Sequence, residues 1–114
     1  MKKNRHGESD AEFRALIWER DRGRSRLTGR RLIKDTDDWL LRGDVCHIKP
    51  KGAYPELRHV SGNAVLLSRN EHIQSDGRGG YLLKIEGDAD AELLFRRYDR
   101  SGLLLWEKRS PCPR

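Results

Sequence analysis

The fold is decided by a short stretch that combines a strand pattern, a histidine and a chain reversal: Gly43-Asp44-Val45-Cys46-His47-Ile48-Lys49-Pro50. The alternation predicts a β-strand in which Val45 and His47 share one face and Cys46 and Ile48 share the other. Proline and glycine then recur up to Pro55, which predicts a loop. The chain therefore turns back on the strand soon after His47.

Two further polar residues follow this loop. Asn63 comes 16 residues after His47, and His72 comes 9 residues after Asn63. We predict a helix that begins at Ser61 or Asn63 and has residues 64–67 as its apolar part. A helix that packs back on the strand would bring the three polar side chains together.

The segment before the strand predicts a helix and an arginine-rich turn. Ser9-Asp10-Ala11-Glu12 is typical of a capping box, and the apolar spacing continues as a helix to about Asp21. Residues 22–31 predict a tight turn in which Gly29 takes a positive φ. The next ten residues predict a connection whose end docks on the core through Trp39, Leu40 and Leu41.

The segment after His72 predicts a small β element. A glycine-rich break at residues 77–80 ends the helix. Strand-like segments follow at residues 81–85, 92–98 and 103–106, and residues 99–102 form a hairpin turn between the last two. This order predicts a single α+β domain with an N-terminal helix and a C-terminal β-hairpin.

The amino-acid composition limits the kinds of partner that the protein is expected to bind. The formal net charge is +6, with 24 Lys and Arg against 18 Asp and Glu. Such a surface favours a nucleic-acid backbone, because neutralised phosphates release counterions, although a merely soluble basic protein fits the charge equally well. Two cysteines give no disulfide framework, and no stretch approaches the ~20 apolar residues of a membrane span. We therefore expect a cytoplasmic protein without a membrane partner.

The three polar residues together suit phosphodiester hydrolysis. An imidazole has a reference pKa of about 6.5, so a neutral His47 can take a proton from water. A metal ion can neutralise the scissile phosphate. The amide of Asn63 can fix the loop that orients the base. A single histidine is more often a surface or packing residue, so the hypothesis depends on the ordered set.

These motifs resemble the HNH endonuclease family, in its restriction- and phage-type branch. The resemblance lies in three pieces of the chain: Cys46-His47-Ile48-Lys49-Pro50, then Asn63-Ala64-Val65-Leu66-Leu67, then His72. It covers roughly residues 22–81 and implies a ββα-metal core within one nuclease domain over residues 1–114. The implied activity is metal-dependent DNA cleavage in a bacterial or phage-infected cell.

The resemblance also implies a role for each motif residue. His47 would be the general base, Asn63 the orienting residue and His72 a metal ligand. Asp76 lies one helical turn after His72, so it would be the second ligand, or else a turn residue. The ion would be Mg²⁺, Mn²⁺, Ni²⁺ or Zn²⁺.

Two departures from the family pattern stand out. Many members bind a structural zinc through two Cys-x-x-Cys pairs, and the matching places here hold no cysteine: Ser25, Thr28, Ser68 and Glu71. We therefore expect no structural zinc and a core held by packing alone. Cys46 stands where many members have an aspartate ligand, so it is either a ligand for a softer metal or a buried thiol. Asp44, on the same predicted strand face, could supply the missing carboxylate.

Basic side chains near the triplet are the expected contacts to the backbone of double-stranded DNA: Arg22, Arg24, Arg26, Arg30, Arg31, Lys49, Lys51 and Arg58. One such site cuts one strand, so a monomer would nick, and double-strand cleavage would require a homodimer or two visits. Two alternatives stay open. The chain could be a catalytically inactive DNA-binding module of the same fold, or a basic RNA-binding protein.

Overall fold

A computed structural model describes residues 9–76 and 82–113. Its helices and strands follow one another as α1 (Asp10–Arg20), β1 (Gly43–His47), β2 (Ala64–Ser68), α2 (Arg69–Ser75), β3 (Leu82–Asp88), β4 (Glu92–Tyr98) and β5 (Leu104–Pro111). The predicted α+β class is confirmed. The predicted break at residues 77–80, and Tyr81, lie outside the described residues. Within the described ranges, no helix has the length and apolar character needed to cross a membrane.

Strand β2 is the centre of the fold. It pairs antiparallel with β1, so that Cys46 lies opposite Val65, and all five of its residues are buried. Ala64 and Leu66 pack against an apolar cluster that includes Phe13 and Ile17 of α1. On the other face, β2 packs against apolar side chains of the β3–β4–β5 sheet: Leu83, Leu93 and Phe95. The β1–β2 pair is therefore enclosed between α1 and the second sheet.

The predicted helix over residues 64–67 is wrong. A strand covered on both faces is a continuous apolar run, which periodicity cannot distinguish from a buried helix. Asn63 ends a 3-10 turn and leads into β2. The helix begins only at Arg69, where Ser68 and Glu71 form a capping box. The order around the motif is strand, loop, strand, helix.

The predicted helix and its serine cap agree with the structure, but the predicted second bond of the capping box, from the Glu12 side chain to the Ser9 amide, does not occur between these two described residues. The Ser9 hydroxyl accepts a hydrogen bond from the Glu12 amide at 3.1 Å, and α1 ends at Arg20. Gly29 has a φ of 77°. The predicted faces of β1 are also confirmed, because Val45 packs with the α1 cluster while Cys46 and Ile48 pack with the second sheet.

A buried ion network fixes α1 to β2. The Asp21 carboxylate accepts hydrogen bonds from Arg20 Nε at 2.8 Å, Arg26 Nη1 at 2.9 Å and the Leu66 amide at 2.9 Å. Both guanidinium side chains are almost fully enclosed. Arg26 also donates to the carbonyl of Ala89. The predicted DNA contact at Arg26 is therefore wrong, because its charge is buried against Asp21.

The predicted docking of Trp39 and Leu40 is also wrong. These side chains are 55% and 54% exposed. The Asp38 carboxylate accepts the Leu40 amide at 2.9 Å, which closes a turn that points both side chains outward. The segment instead docks through its backbone, since the Trp39 carbonyl accepts the Asn70 amide.

The C-terminal element is a three-stranded antiparallel sheet in the order β3–β4–β5. The predicted turn between the last two strands is confirmed. The Asp99 carboxylate closes it by accepting the amides of Ser101 and Leu103, both at 2.9 Å. The sheet covers one face of β2 and leaves the end of β1 open beside α2.

Candidate active site

A cleft of about 300 Å³ opens beside the end of β1. Its walls include both motif histidines, His47 on β1 and His72 on α2, together with Asp76 and Lys51. Helix α1 supplies the remaining wall through Asp10, Phe13 and Arg14. Residues that are far apart in sequence therefore line one space.

His47 is held in one tautomer. Its ring stacks on Phe13, with centroids 6.0 Å apart, and its Nε2 lies 2.8 Å from the backbone carbonyl of Arg58. A carbonyl can only accept, so Nε2 carries the proton and Nδ1 carries the lone pair. Burial lowers the pKa of His47, against an opposing effect of the Arg58 carbonyl. The ring is therefore a neutral base near pH 7.

The loop that carries this carbonyl is anchored to α1. Arg58 Nε and Nη2 lie 3.1 and 2.6 Å from the two carboxylate oxygens of Asp10, and His59 Nε2 lies 2.7 Å from one of them. The contacts with Arg58 and His59 keep the pKa of Asp10 well below its usual value. The sequence predicted Arg58 as a DNA contact and did not single out Asp10. An acidic residue in the first helical turn is too common to indicate such a role.

Asn63 clamps the other end of the same loop. Its Oδ1 accepts the Lys49 amide at 2.9 Å, and its Nδ2 donates to the Lys49 carbonyl at 3.0 Å and towards the Leu57 carbonyl at 3.4 Å. One amide side chain thus satisfies backbone groups on both arms of the loop after His47. The predicted loop-fixing geometry is confirmed, although Asn63 leads into a strand rather than a helix.

His72 is oriented by a carboxylate from β1. Its Nδ1 lies 3.0 Å from Asp44 Oδ2, which also lies 2.6 Å from Arg69 Nε. The hydrogen bond of His72 to Asp44, followed by that to Cys46, raises the pKa of His72 to about 10. Burial raises the pKa of Asp44, but His72 and Arg69 outweigh it and the net change is downward. Nδ1 of His72 is therefore hydrogen-bonded to Asp44, and Nε2 of His72 lies on the side of Asp76.

The His72–Asp76 pair fits a divalent ion after a small movement. His72 Nε2 and Asp76 Oδ2 are 3.9 Å apart. Ligand atoms about 2.1 Å from one ion lie about 3.0 Å apart at a right angle and about 3.4 Å apart at a tetrahedral angle. The gap must close by about 0.5–0.9 Å, which a rotation of the half-exposed Asp76 can supply. No group of three or more candidate ligands occurs within residues 9–76 and 82–113. Within the described residues, the cleft therefore brings two candidate ligands, His72 and Asp76, near each other.

Cys46 lies in the core and does not line this cleft. Its side chain is 3% exposed, and its Sγ lies 3.5 Å from the Ser75 hydroxyl. The thiol also interacts with His72. This position favours the buried-thiol alternative over the ligand role.

The four positions that the HNH resemblance aligns with zinc-binding cysteines are joined here by hydrogen bonds. Glu71 Oε1 accepts both the Ser25 hydroxyl and the Ser68 amide at 2.8 Å. The Ser25 hydroxyl accepts the Thr28 amide at 3.2 Å. The expectation that packing alone holds this region is therefore wrong, because a charged hydrogen-bond cluster ties the arginine-rich turn to the start of α2.

The predicted basic contacts are divided between several surfaces. Lys51 lines the histidine cleft, and the exposed Lys49 places its Nζ 5.5 Å from the Tyr54 ring. The turn residues are exposed, and none of them lines the histidine cleft: Arg22, Arg24, Arg30 and Arg31. The sequence did not single out four basic residues beside His72: Arg14, Lys34, Arg42 and Arg69. They come from four separate segments, so no local charge run indicated them.

Comparisons with protein-family models, curated proteins and solved structures found no match to this chain. Its function must therefore be inferred from the residues and their geometry.

Proposed function

We propose that this chain is a metal-dependent DNA endonuclease of the HNH type that hydrolyses phosphodiester bonds. The observation that carries the proposal is the shared cleft of His47 and His72, in which Nε2 of His47 lies 2.8 Å from a backbone carbonyl and burial lowers the pKa of His47. The order of β1, β2 and α2 is the order that the HNH resemblance implies for a ββα-metal core.

His47 is the general base of the proposed reaction. Its Nδ1 takes a proton from water while the resulting hydroxide attacks phosphorus and the bond from phosphorus to the leaving oxygen breaks. The Arg58 carbonyl stabilises the imidazolium through Nε2. Asn63 keeps the loop in the position that makes this hydrogen bond. Lys51 lines the cleft and can contact the scissile phosphate.

His72 and Asp76 are the residues that would hold a divalent ion. Asp44 accepts the Nδ1 proton of His72, an arrangement that fixes the ring of a ligand histidine and raises its basicity. A bound ion supplies charge neutralisation for the phosphate and the leaving oxygen. Two protein ligands suit an ion whose remaining positions are filled by water and phosphate oxygens.

Plasmid nicking tests the proposal. Supercoiled plasmid is incubated with wild type, His47→Ala and His72→Ala, each with Mg²⁺, Mn²⁺, Ni²⁺ or Zn²⁺. We expect metal-dependent nicking that falls by about 100-fold or more in His47→Ala, the usual contribution of a general base. Leu103→Ala changes an exposed side chain that lines no described cleft and serves as the control.

Two results would overturn the proposal. Equal nicking by wild type and both histidine variants would indicate a contaminating nuclease. A folded wild type that binds duplex DNA without nicking it in any metal would favour the inactive binding module. Calorimetric titration with Mn²⁺ gives a readout separate from activity, in which Asp76→Asn is expected to weaken binding.

A further inference from the structure

A second cleft adjoins the histidine cleft on the outer side of His72. It has a volume of about 580 Å³ and shares Arg14, Val45 and His72 with its neighbour. Its walls come from α1, from the connection before β1, from β1 itself and from the start of α2. The two clefts are therefore neighbours on the face that carries both histidines, and together they are called the groove.

The charge of this second cleft is strongly positive. Four cationic residues line it: Arg14, Lys34, Arg42 and Arg69. Asp44 is the one acidic residue among its described lining residues, and its carboxylate is already engaged by His72 and Arg69. Within the described residues, neither Lys34 nor Arg42 forms an ion pair with a carboxylate.

A packed tryptophan makes this cleft a preformed surface. Trp18 lies against Gly43 so closely that a Cβ at Gly43 would come within 2.5 Å of its ring. Lys34 Nζ lies 5.2 Å from the centre of the same ring. The Lys34 ammonium group is therefore held at the cleft without a carboxylate partner, an arrangement that suits an anionic ligand.

We propose that this basic cleft binds the phosphodiester backbone of duplex DNA on one side of the scissile phosphate. The proposal deepens, and rests on, the nuclease function above. A strand whose scissile phosphate lies between His47 and His72 continues past His72 directly onto the four cations. The contacts to flanking phosphates then come mainly from this cleft rather than from the arginine-rich turn, which lines neither part of the groove.

The salt dependence of DNA binding distinguishes phosphate contacts made in this cleft from attraction caused by the overall positive charge of the protein. Binding of a labelled duplex is measured in EDTA over a range of salt, with His47→Ala as the inert background. Each phosphate contact contributes about 0.9 to the slope of log K against log salt. Lys34→Gln/Arg42→Gln is expected to lower the slope by about 1.8 and the affinity about thirty-fold at 0.15 M salt. These two residues line only the second cleft.

Arg100→Gln/Arg109→Gln is the matched control, because it removes the same charge from exposed residues on the C-terminal sheet. Equal slopes for the cleft and control variants would overturn the inference. Loss of nicking with the slope difference intact would instead count against the proposed reaction alone.

Discussion

Replacement of Asp21 by asparagine tests whether the buried ion network holds α1 in place. Asp21 is 1% exposed and is the shared counter-charge of Arg20 and Arg26. Asp21→Asn removes the negative charge. Its side-chain NH₂ group also replaces one carboxylate oxygen, so hydrogen-bond donors that this oxygen accepted now face another donor. Arg20 keeps Asp90 at 3.1 Å as its remaining charged partner, whereas Arg26 keeps neutral partners.

The expected loss follows from this burial. Removal of one partner from a buried ion pair costs about 3–5 kcal/mol, because the remaining charge stays out of water. With a urea m value of about 1.5 kcal/mol/M, the unfolding midpoint falls by about 2–3 M. Glu92→Gln removes an exposed carboxylate from Arg109 and should cost less than about 1 kcal/mol. Equal small losses in the two variants, measured by urea denaturation, would refute the assigned role of Asp21.

Three further predictions concern single positions. Gly43→Ala should displace the Trp18 ring, shift its fluorescence and cost about 1–3 kcal/mol, whereas Gly52→Ala meets no atom within 4 Å and should be silent. Glu71→Ala removes two hydrogen bonds at the start of α2 and should lower the free energy of unfolding by about 1–3 kcal/mol in denaturation. The folded-state pKa of His72, about 10, lies above its unfolded value of about 6.5. The stability that His72 contributes is therefore fully present below about pH 6.5 and lost as the pH rises through about 10; a metal-free NMR midpoint near 6.5 would contradict this.

Sequence patterns correctly predicted those parts of the fold that depend on interactions between residues close together in the chain. The capping serine of α1, the turn at Gly29, strand β1 and the C-terminal hairpin each depend on residues within a few positions of one another. Strand β2 could not be predicted in this way. It became a strand because α1 covers one face and a distant sheet covers the other, and neither partner can be read from residues 64–67 themselves.

The residues of the candidate site show the same difference between local patterns and long-range packing. The sequence identified His47, Asn63 and His72 because their order and spacing are visible in the chain. It could not predict Asp10 as the anchor of the Arg58 loop, since the two residues are 48 positions apart and meet only through the packing of α1. Asp44 was partly foreseen, because strand alternation places it on the Cys46 face, but its contact with His72 depends on how α2 packs on β1.

The two histidines of the cleft are driven towards opposite protonation states by different surroundings. Burial beside Phe13 favours neutral His47, whereas the carboxylate of Asp44 favours charged His72. Two titratable groups in one site whose pKa values shift in opposite directions typically take different roles in acid–base chemistry. A divalent ion at His72 must displace the Nε2 proton, so metal binding should release a proton and strengthen as the pH rises. Asp44→Asn replaces the carboxylate that orients the ring with a neutral amide, and is expected to weaken Mn²⁺ binding although it makes His72 easier to deprotonate. Tighter Mn²⁺ binding by that variant at pH 7 would show that Asp44 competes with the ion rather than supporting it.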